Sequence, residues 1–382
     1  MSDAANSAFS PVMGRPVRIG VIGCGQIAQT HFTNYAKIPN AQVVACADID
    51  PNAADTSAKK WNIPHVYYSA HEMLKRDDLD AVDVCLHNNL HRPAAVAVLE
   101  SGRHCYCEKP MAGAFADAQA MLDTAKQTGK RLHIQLAGLY SNETRATKEL
   151  IDAGALGEIY FARSTGHRRR GRPFVDGYGK PAFVQKENSG GGALYDMGVY
   201  HISEMLYLLG NPPVERITGK TYQETPIDAK RQAESGYSVE EIGMGFVRFA
   251  GDMALDLIEA WAAHIDAFES SFILGSLGGV RMKPWGFYHS QGDLDVGGGA
   301  NLDSANYRWR KLRSRDGDSD TRSGSQDHWV ATLRGEDDLL PTAEIALNTM
   351  LISEGIYLSE RLNREVTADE VRQMSKSTMR QL

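Results

Sequence analysis

Val17-Arg18-Ile19-Gly20-Val21-Ile22-Gly23-Cys24-Gly25-Gln26-Ile27-Ala28 is the stretch on which the fold turns. Residues 17–22 form an apolar run, the pattern of a central parallel strand covered on both faces. G-x-G-x-x-A follows at once and opens a helical segment reaching Ala36. In that strand, turn and helix setting, Gly23 permits the tight turn, Gly25 lets a pyrophosphate approach the backbone, and the small Ala28 lets helix and strand pack closely. The helix start at Gln26 and Ile27 then offers unpaired N–H groups and a positive dipole end to phosphates.

Outward from this unit, an apolar strand at 43–47 ends at Asp48. A carboxylate there accepts hydrogen bonds from adenosine ribose hydroxyls and repels a 2′-phosphate, which favours NAD over NADP. Strands at 81–86, 104–107 and 131–136, with helices at 93–101 and 115–128, continue an α/β Rossmann domain over residues 1–140. Ligands of such sheets bind beyond the carboxyl ends of the strands. That rule nominates Leu86, His87, Asn88 and His91 after one strand, Glu108, Lys109 and Pro110 after the next, and Gln135 at the last.

Residues 141–382 read as an α+β domain with a large, open, mostly antiparallel sheet for substrate binding and oligomerisation. Segments 237–249, 253–265 and 270–275 alternate as strands of a meander, with Leu255, Leu257, Glu259 and Trp261 on one side. Gly/Ser/Asp-rich stretches at 292–301 and 313–325 read as loops. An apolar helix at 342–361 packs back on the body.

Gly190-Gly191-Gly192 reads as a close approach to cofactor or substrate before a helix from Asp196 to Leu209. Asp196 and Tyr200 stand four apart and share a face, while His201 is rotated by about 100°. Spacing therefore nominates Tyr200 as the proton relay. An irregular helix start would present His201, whose neutral-range titration suits the task. In the plainest reading Asp196 is a helix cap and the other two pack.

With 382 residues the chain needs two cores. A net charge of −7 and a pI near 6.0 exclude nucleic acid as a partner. Nothing approaches the roughly 18 apolar residues of a membrane span, and residues 1–16 lack a leader's basic start and apolar core, so the expected location is the cytoplasm. Five cysteines, Cys24, Cys46, Cys85, Cys105 and Cys107, read as reduced structural thiols, with no metal site.

Gly23 to Ala28, Asp48, Asn88 with His91, Glu108-Lys109-Pro110, and the segment Gly190 to His201 together resemble the glucose-fructose oxidoreductase / inositol dehydrogenase (Gfo/Idh/MocA) family over essentially the whole chain. The resemblance implies NAD-dependent oxidation of a ring hydroxyl of a sugar, glycoside or cyclitol, in a homodimer or homotetramer joined through the open sheet. It also implies that Lys109 hydrogen-bonds the reacting hydroxyl. The residue four beyond Asp196 moves the proton, as His in inositol-dehydrogenase-like members and Tyr in glucose-fructose-oxidoreductase-like ones. Two departures stand out: Leu86-His87-Asn88 where the family often has Thr-Pro-Asn, and Ser141 near the place of a frequent arginine.

Hydride transfer from a carbinol needs a base for the hydroxyl proton and a cation for the developing alkoxide. Lys109 can serve both, and a dry crevice beside a cationic nicotinamide should lower its proton affinity from about 10.4. For substrate binding the candidates are Arg168, in the basic run 167–172, Lys186, and His328, beside Trp329, as a stacking platform. The basic run reads equally as a solvated loop or subunit contact, and Trp329 as core. A glycosidase that retains NAD and oxidises its substrate transiently, and a non-catalytic sugar-binding Rossmann protein, are the rival readings.

Overall fold

The computed structural model describes residues 9–313 and 320–382. Six strands, β1 (Val17–Ile22), β2 (Ala41–Ala47), β3 (His65–Tyr67), β4 (Ala81–Val84), β5 (His104–Cys107) and β6 (Leu132–Ile134), make an all-parallel sheet in the order β3-β2-β1-β4-β5-β6. Strand order reverses between β1 and β4, so a crevice opens at their carboxyl ends. Gly23 sits there with φ +92°, and a Cβ on it would lie 2.3 Å from the Cys85 carbonyl oxygen, so only glycine fits. The helix Gln26–Tyr35 turns Ala28, His31, Phe32 and Tyr35 into the core. The helix Asn88–Glu100 begins earlier than position 93 and carries Pro93 inside it. Pro93 cannot donate to the Asn89 carbonyl, which instead accepts from the Arg380 amide at 3.0 Å.

The second sheet has nine strands: β7 (Ile159–His167), β8 (Val214–Tyr222), β9 (Ile242–Phe249), β10 (Ala254–Ala260), β11 (Phe272–Gly275), β12 (Gly278–Arg281), β13 (Gly286–Gln291), β14 (Leu294–Gly298) and β15 (Val366–Thr367). Their order is β14-β13-β12-β11-β7-β10-β9-β8-β15, and every neighbouring pair is antiparallel except β7 with β10. This corrects the expected meander in two places. β7, mixed in composition and ending in the basic run, enters the middle of the sheet. Residues 294–298 form a strand, because pairing with β13 satisfies a backbone that its glycines left unassigned. Of the loop expected at 313–325, residues 314–319 lie outside the described residues. The β10 periodicity holds: Leu255, Leu257, Glu259 and, just beyond, Trp261 are all buried.

Packing crosses the division at residue 140. The helix Ser325–Leu333 returns to the first lobe, where Trp329, Val330 and Leu333 join Val17, Ile19, Phe32 and Tyr106 in one core. The helix Thr342–Leu362 lies against β8, the helix Gly198–Leu208 and the helix Phe115–Thr128, tying the lobes together. All five cysteines are buried and free. Among the described residues no helix is long and apolar enough to cross a membrane.

Candidate active site

The nucleotide half of the crevice is open where it must be. A Cβ on Gly25 would meet nothing within 4 Å, and the helix that starts at Gln26 has no side-chain cap, leaving its first N–H groups free for an anion. Gln26 and Ile27 are exposed there. Asp48, at the end of β2, accepts from the Cys24 amide at 2.7 Å and from the Asp50 amide at 2.9 Å. Two bonds fix its orientation and leave carboxylate lone pairs for a ribose diol. Across the switch point Leu86 packs beside Gly23, and the His87 ring meets Phe183 edge-on at 5.9 Å. Gln135 follows β6, and its buried Oε1 has no hydrogen-bond partner, so it suits a ligand amide. These residues fit a dinucleotide. Asp48→Ala should reduce discrimination against NADP about tenfold, roughly 1.4 kcal/mol or one to two lost hydroxyl hydrogen bonds. Paired NADH and NADPH fluorescence titrations check this, and unchanged discrimination would remove Asp48 from coenzyme choice.

The two lobes meet at Lys109. Its Nζ donates to Asp196 Oδ1 at 3.0 Å and to the Asp196 carbonyl at 3.1 Å, and lies 4.6 Å from the Tyr200 ring centroid. Asp196 Oδ2 accepts from Trp261 Nε1 at 3.1 Å, with the Arg168 guanidinium 3.9 Å away. Arg168 also donates to the Tyr178 hydroxyl, which donates onward to the Gly171 carbonyl. Burial disfavours charge on Lys109, but Asp196, the Tyr200 oxygen and Glu108 outweigh it and hold the ammonium above its ordinary value. The expected fall in proton affinity was tied to a cationic nicotinamide; among the protein's own groups the partner carboxylates set the direction. Burial likewise opposes charge on Asp196, and Lys109 followed by Arg168 reverses it, so this carboxyl lies below its usual range. Burial raises the Tyr200 phenol.

Other candidates go elsewhere. The helix expected from Asp196 to Leu209 is two pieces, Ala193–Asp196 and Gly198–Leu208, broken at Met197. Asp196 caps neither, so the plainest reading fails. His201 points to the second sheet, where Nδ1 meets Glu259 Oε2 at 2.9 Å. The glycine run is a close approach to protein: Cβ atoms at Gly190, Gly191 and Gly192 would strike the Gly113 carbonyl, the Tyr357 hydroxyl and the Glu240 carbonyl at 2.4, 2.2 and 2.0 Å. Glu240, buried, accepts from the Gly192 and Leu194 amides and so holds that run.

His91 is buried scaffold, with Nδ1 2.8 Å from the Pro110 carbonyl and Nε2 3.0 Å from that of Leu86. Asn88 donates across the crevice to the Ser189 carbonyl at 2.8 Å. Glu108 is nearly buried, with Oε1 2.7 Å from His31 Nε2. Lys186 places its ammonium 5.7 Å over Tyr357. His328 cannot stack on a substrate: it is fully buried, its Nε2 accepts from the Leu340 amide, and it packs against His133 and Tyr140. Of the basic run, Arg172 is a buried brace gripping Asp176 and Glu241. Ser141, near the family's arginine, caps the helix Asn142–Asp152 through Thr144 N.

Sequence reading missed Trp261 as a partner of Asp196, and His31 with Asp83 beneath Lys109. The signals were present: Ala28, His31, Phe32 and Tyr35 share one helical stripe, and Asp83 interrupts an apolar strand, where an unpaired charge would be too costly.

Fold and site together define a two-lobed, nicotinamide-dependent oxidoreductase. Residues 17–136 match the oxidoreductase family's NAD-binding Rossmann fold, and residues 144–281 match the GFO/IDH/MocA C-terminal domain. The chain belongs to the Gfo/Idh/MocA family, and NAD is its cofactor. It is 32% identical over 263 residues to D-glucoside 3-dehydrogenase of Escherichia coli K12, covering 67% of this chain and 73% of that one. With myo-inositol 2-dehydrogenase of Thermotoga maritima it shares 26% identity over 194 residues, 51% of this chain and 55% of that one. Levoglucosan dehydrogenase in complex with NADH matches in fold, with a TM-score of 0.78 at 20% identity over 93% of this chain and 99% of that one.

Proposed function

We propose that this enzyme oxidises a ring hydroxyl of a sugar, glycoside or cyclitol, reversibly, with the reacting carbinol seated between Lys109 and Tyr200. The observation that carries the reading is the meeting of the Lys109 ammonium with Asp196 and Tyr200 at the carboxyl edge of the Rossmann sheet. The names of the relatives, which act on glucosides and inositol, support the substrate class. Gly23, Gly25, Gln26, Ile27 and Asp48 would hold the adenosine and pyrophosphate end of NAD, with Leu86, His87 and Gln135 beside the nicotinamide. Bound NAD supplies the hydride acceptor.

Lys109 donates a hydrogen bond to the reacting oxygen and stabilises the charge that grows there. Tyr200, next to that cation, passes the hydroxyl proton outward. Asp196 orients Lys109 and binds a neighbouring hydroxyl, and Arg168 with Tyr178 closes the polar rim. In the same reading the enzyme works in the cytoplasm as a dimer or tetramer through the outer face of the nine-stranded sheet, where Tyr160, Tyr222 and Tyr288 are exposed.

A panel of free sugars, alkyl and aryl glycosides, inositols and sugar acids with NAD tests this by absorbance of NADH. The Lys109 ammonium, held above its ordinary value, stays charged while the raised Tyr200 phenol loses its proton more often with each unit, so oxidation should accelerate as pH rises from 7 toward 10. Aglycone release from aryl glycosides without net NADH would replace dehydrogenation by transient oxidation. Absence of turnover across the panel would sink the substrate class.

A further inference from the structure

Beneath the Lys109 loop runs a chain of three buried ionisable side chains. Asp83, in mid-strand β4, places Oδ2 2.7 Å from His31 Nδ1, and His31 Nε2 lies 2.7 Å from Glu108 Oε1. Asp83 and His31 are fully buried, and Glu108 nearly so. The second oxygen, Glu108 Oε2, accepts from the backbone N–H of Lys109 at 2.9 Å. One carboxylate is thus pinned at both ends, by an imidazole from the first helix and by the peptide that carries the lysine.

An imidazole with a carboxylate oxygen at hydrogen-bond distance from each nitrogen donates to both only as the imidazolium. Burial opposes that charge, but the facing Asp83 carboxylate and the Cys85 sulfur carry the His31 pKa well above its ordinary value. Burial also opposes charge on Glu108, and His31, then Lys109, holds it below the usual range. Three buried charges with no other use are costly, and breaking such a set by removing one partner is costlier still. Asp83, His31 and Cys85 offer metal-ligand atoms within 4.8 Å of one another. The 2.7 Å spacing is nevertheless a hydrogen bond, shorter than the roughly 3.3 Å edge of a tetrahedral site with bonds near 2 Å.

We propose that His31 and Glu108 are positioning residues for Lys109: His31 fixes Glu108, and Glu108 both anchors the Lys109 peptide and supplies a second negative charge to its ammonium. Asp83 completes the device by orienting His31. The inference rests on the role given to Lys109 above, but its test does not need turnover. The other groups facing Lys109 are Asp196 and Tyr200 from the second lobe, with Arg168 and Tyr178 behind Asp196.

Trace acylation with acetic anhydride at pH 8, read lysine by lysine by mass spectrometry, reports the free-amine fraction of Lys109 in the full chain. Glu108→Gln keeps the shape and removes the charge. Lys109 labelling should then rise about tenfold, one pH unit in midpoint, while Lys186 stays unchanged. Equal Lys109 labelling in folded wild type and variant would overturn the proposal. Should the variant not fold, imidazole nitrogen NMR of the histidine-labelled wild type decides. Two protonated ring nitrogens on His31 at pH 8 support the device, and a neutral ring refutes it. A wild-type protein that oxidises nothing in the sugar panel would sink the proposed activity and leave both readouts intact.

Discussion

Lys109→Ala should lower kcat for sugar oxidation about a thousandfold, within the range general acid–base groups contribute, while NADH still binds. The argument is geometric. Lys109 stands at the carboxyl edge of the Rossmann sheet and reaches both Asp196 and the Tyr200 ring. Its removal leaves Asp196 to Trp261 and Arg168 and does not touch Gly25, the open helix end or Asp48, so cofactor affinity should change less than about threefold. Stopped-flow turnover with parallel NADH titration separates the two. Loss of NADH binding in step with activity would show that the lysine holds cofactor rather than substrate.

The second large effect distinguishes neighbours in sequence. Tyr200→Phe keeps the ring under the Lys109 ammonium and removes only the hydroxyl, so kcat should fall about a hundredfold with the melting temperature nearly unchanged. His201→Asn should do the reverse. It takes the partner from Glu259, which is fully buried and otherwise holds Ser164 Oγ at 3.1 Å, and should cost roughly 1–3 kcal/mol of stability while sparing turnover. Burial lowers the His201 pKa, and Glu259 more than restores it, so the folded value is raised. The stability it contributes is therefore complete below about pH 6.5 and fades as pH climbs through the raised folded value. Melting curves of the variant and wild type should converge at alkaline pH. A His201→Asn enzyme as impaired as Tyr200→Phe would return the proton relay to the histidine.

Much of the first lobe was legible because local pattern and tertiary role coincide there. An apolar run, a glycine turn and a small residue at the helix contact can hardly be satisfied by another fold, and Asp48 is placed by strand length alone. That Tyr200 and not His201 lies on the side of Lys109 was also readable, from the one-face relation of residues four apart, although the helix that would justify it is broken at Met197. Where reading went wrong, one residue type served two purposes. His328 looks like part of a sugar platform and is core, and Gly190 to Gly192 look like a ligand cradle and give way to Tyr357 and Glu240.

By itself, then, the sequence determined the dinucleotide lobe, the lysine at its edge and the Asp196 to Tyr200 segment opposite, because hydrophobic period and glycine placement act over a few residues. Only the tertiary structure decided which side chains share the crevice and which charges are buried in pairs. Glu108 lies next to Lys109 in the chain, yet its carboxylate meets a histidine 77 residues earlier. Pairings across that distance depend on how strands and helices pack, and the free energy of a charge depends on who faces it, which no local pattern records.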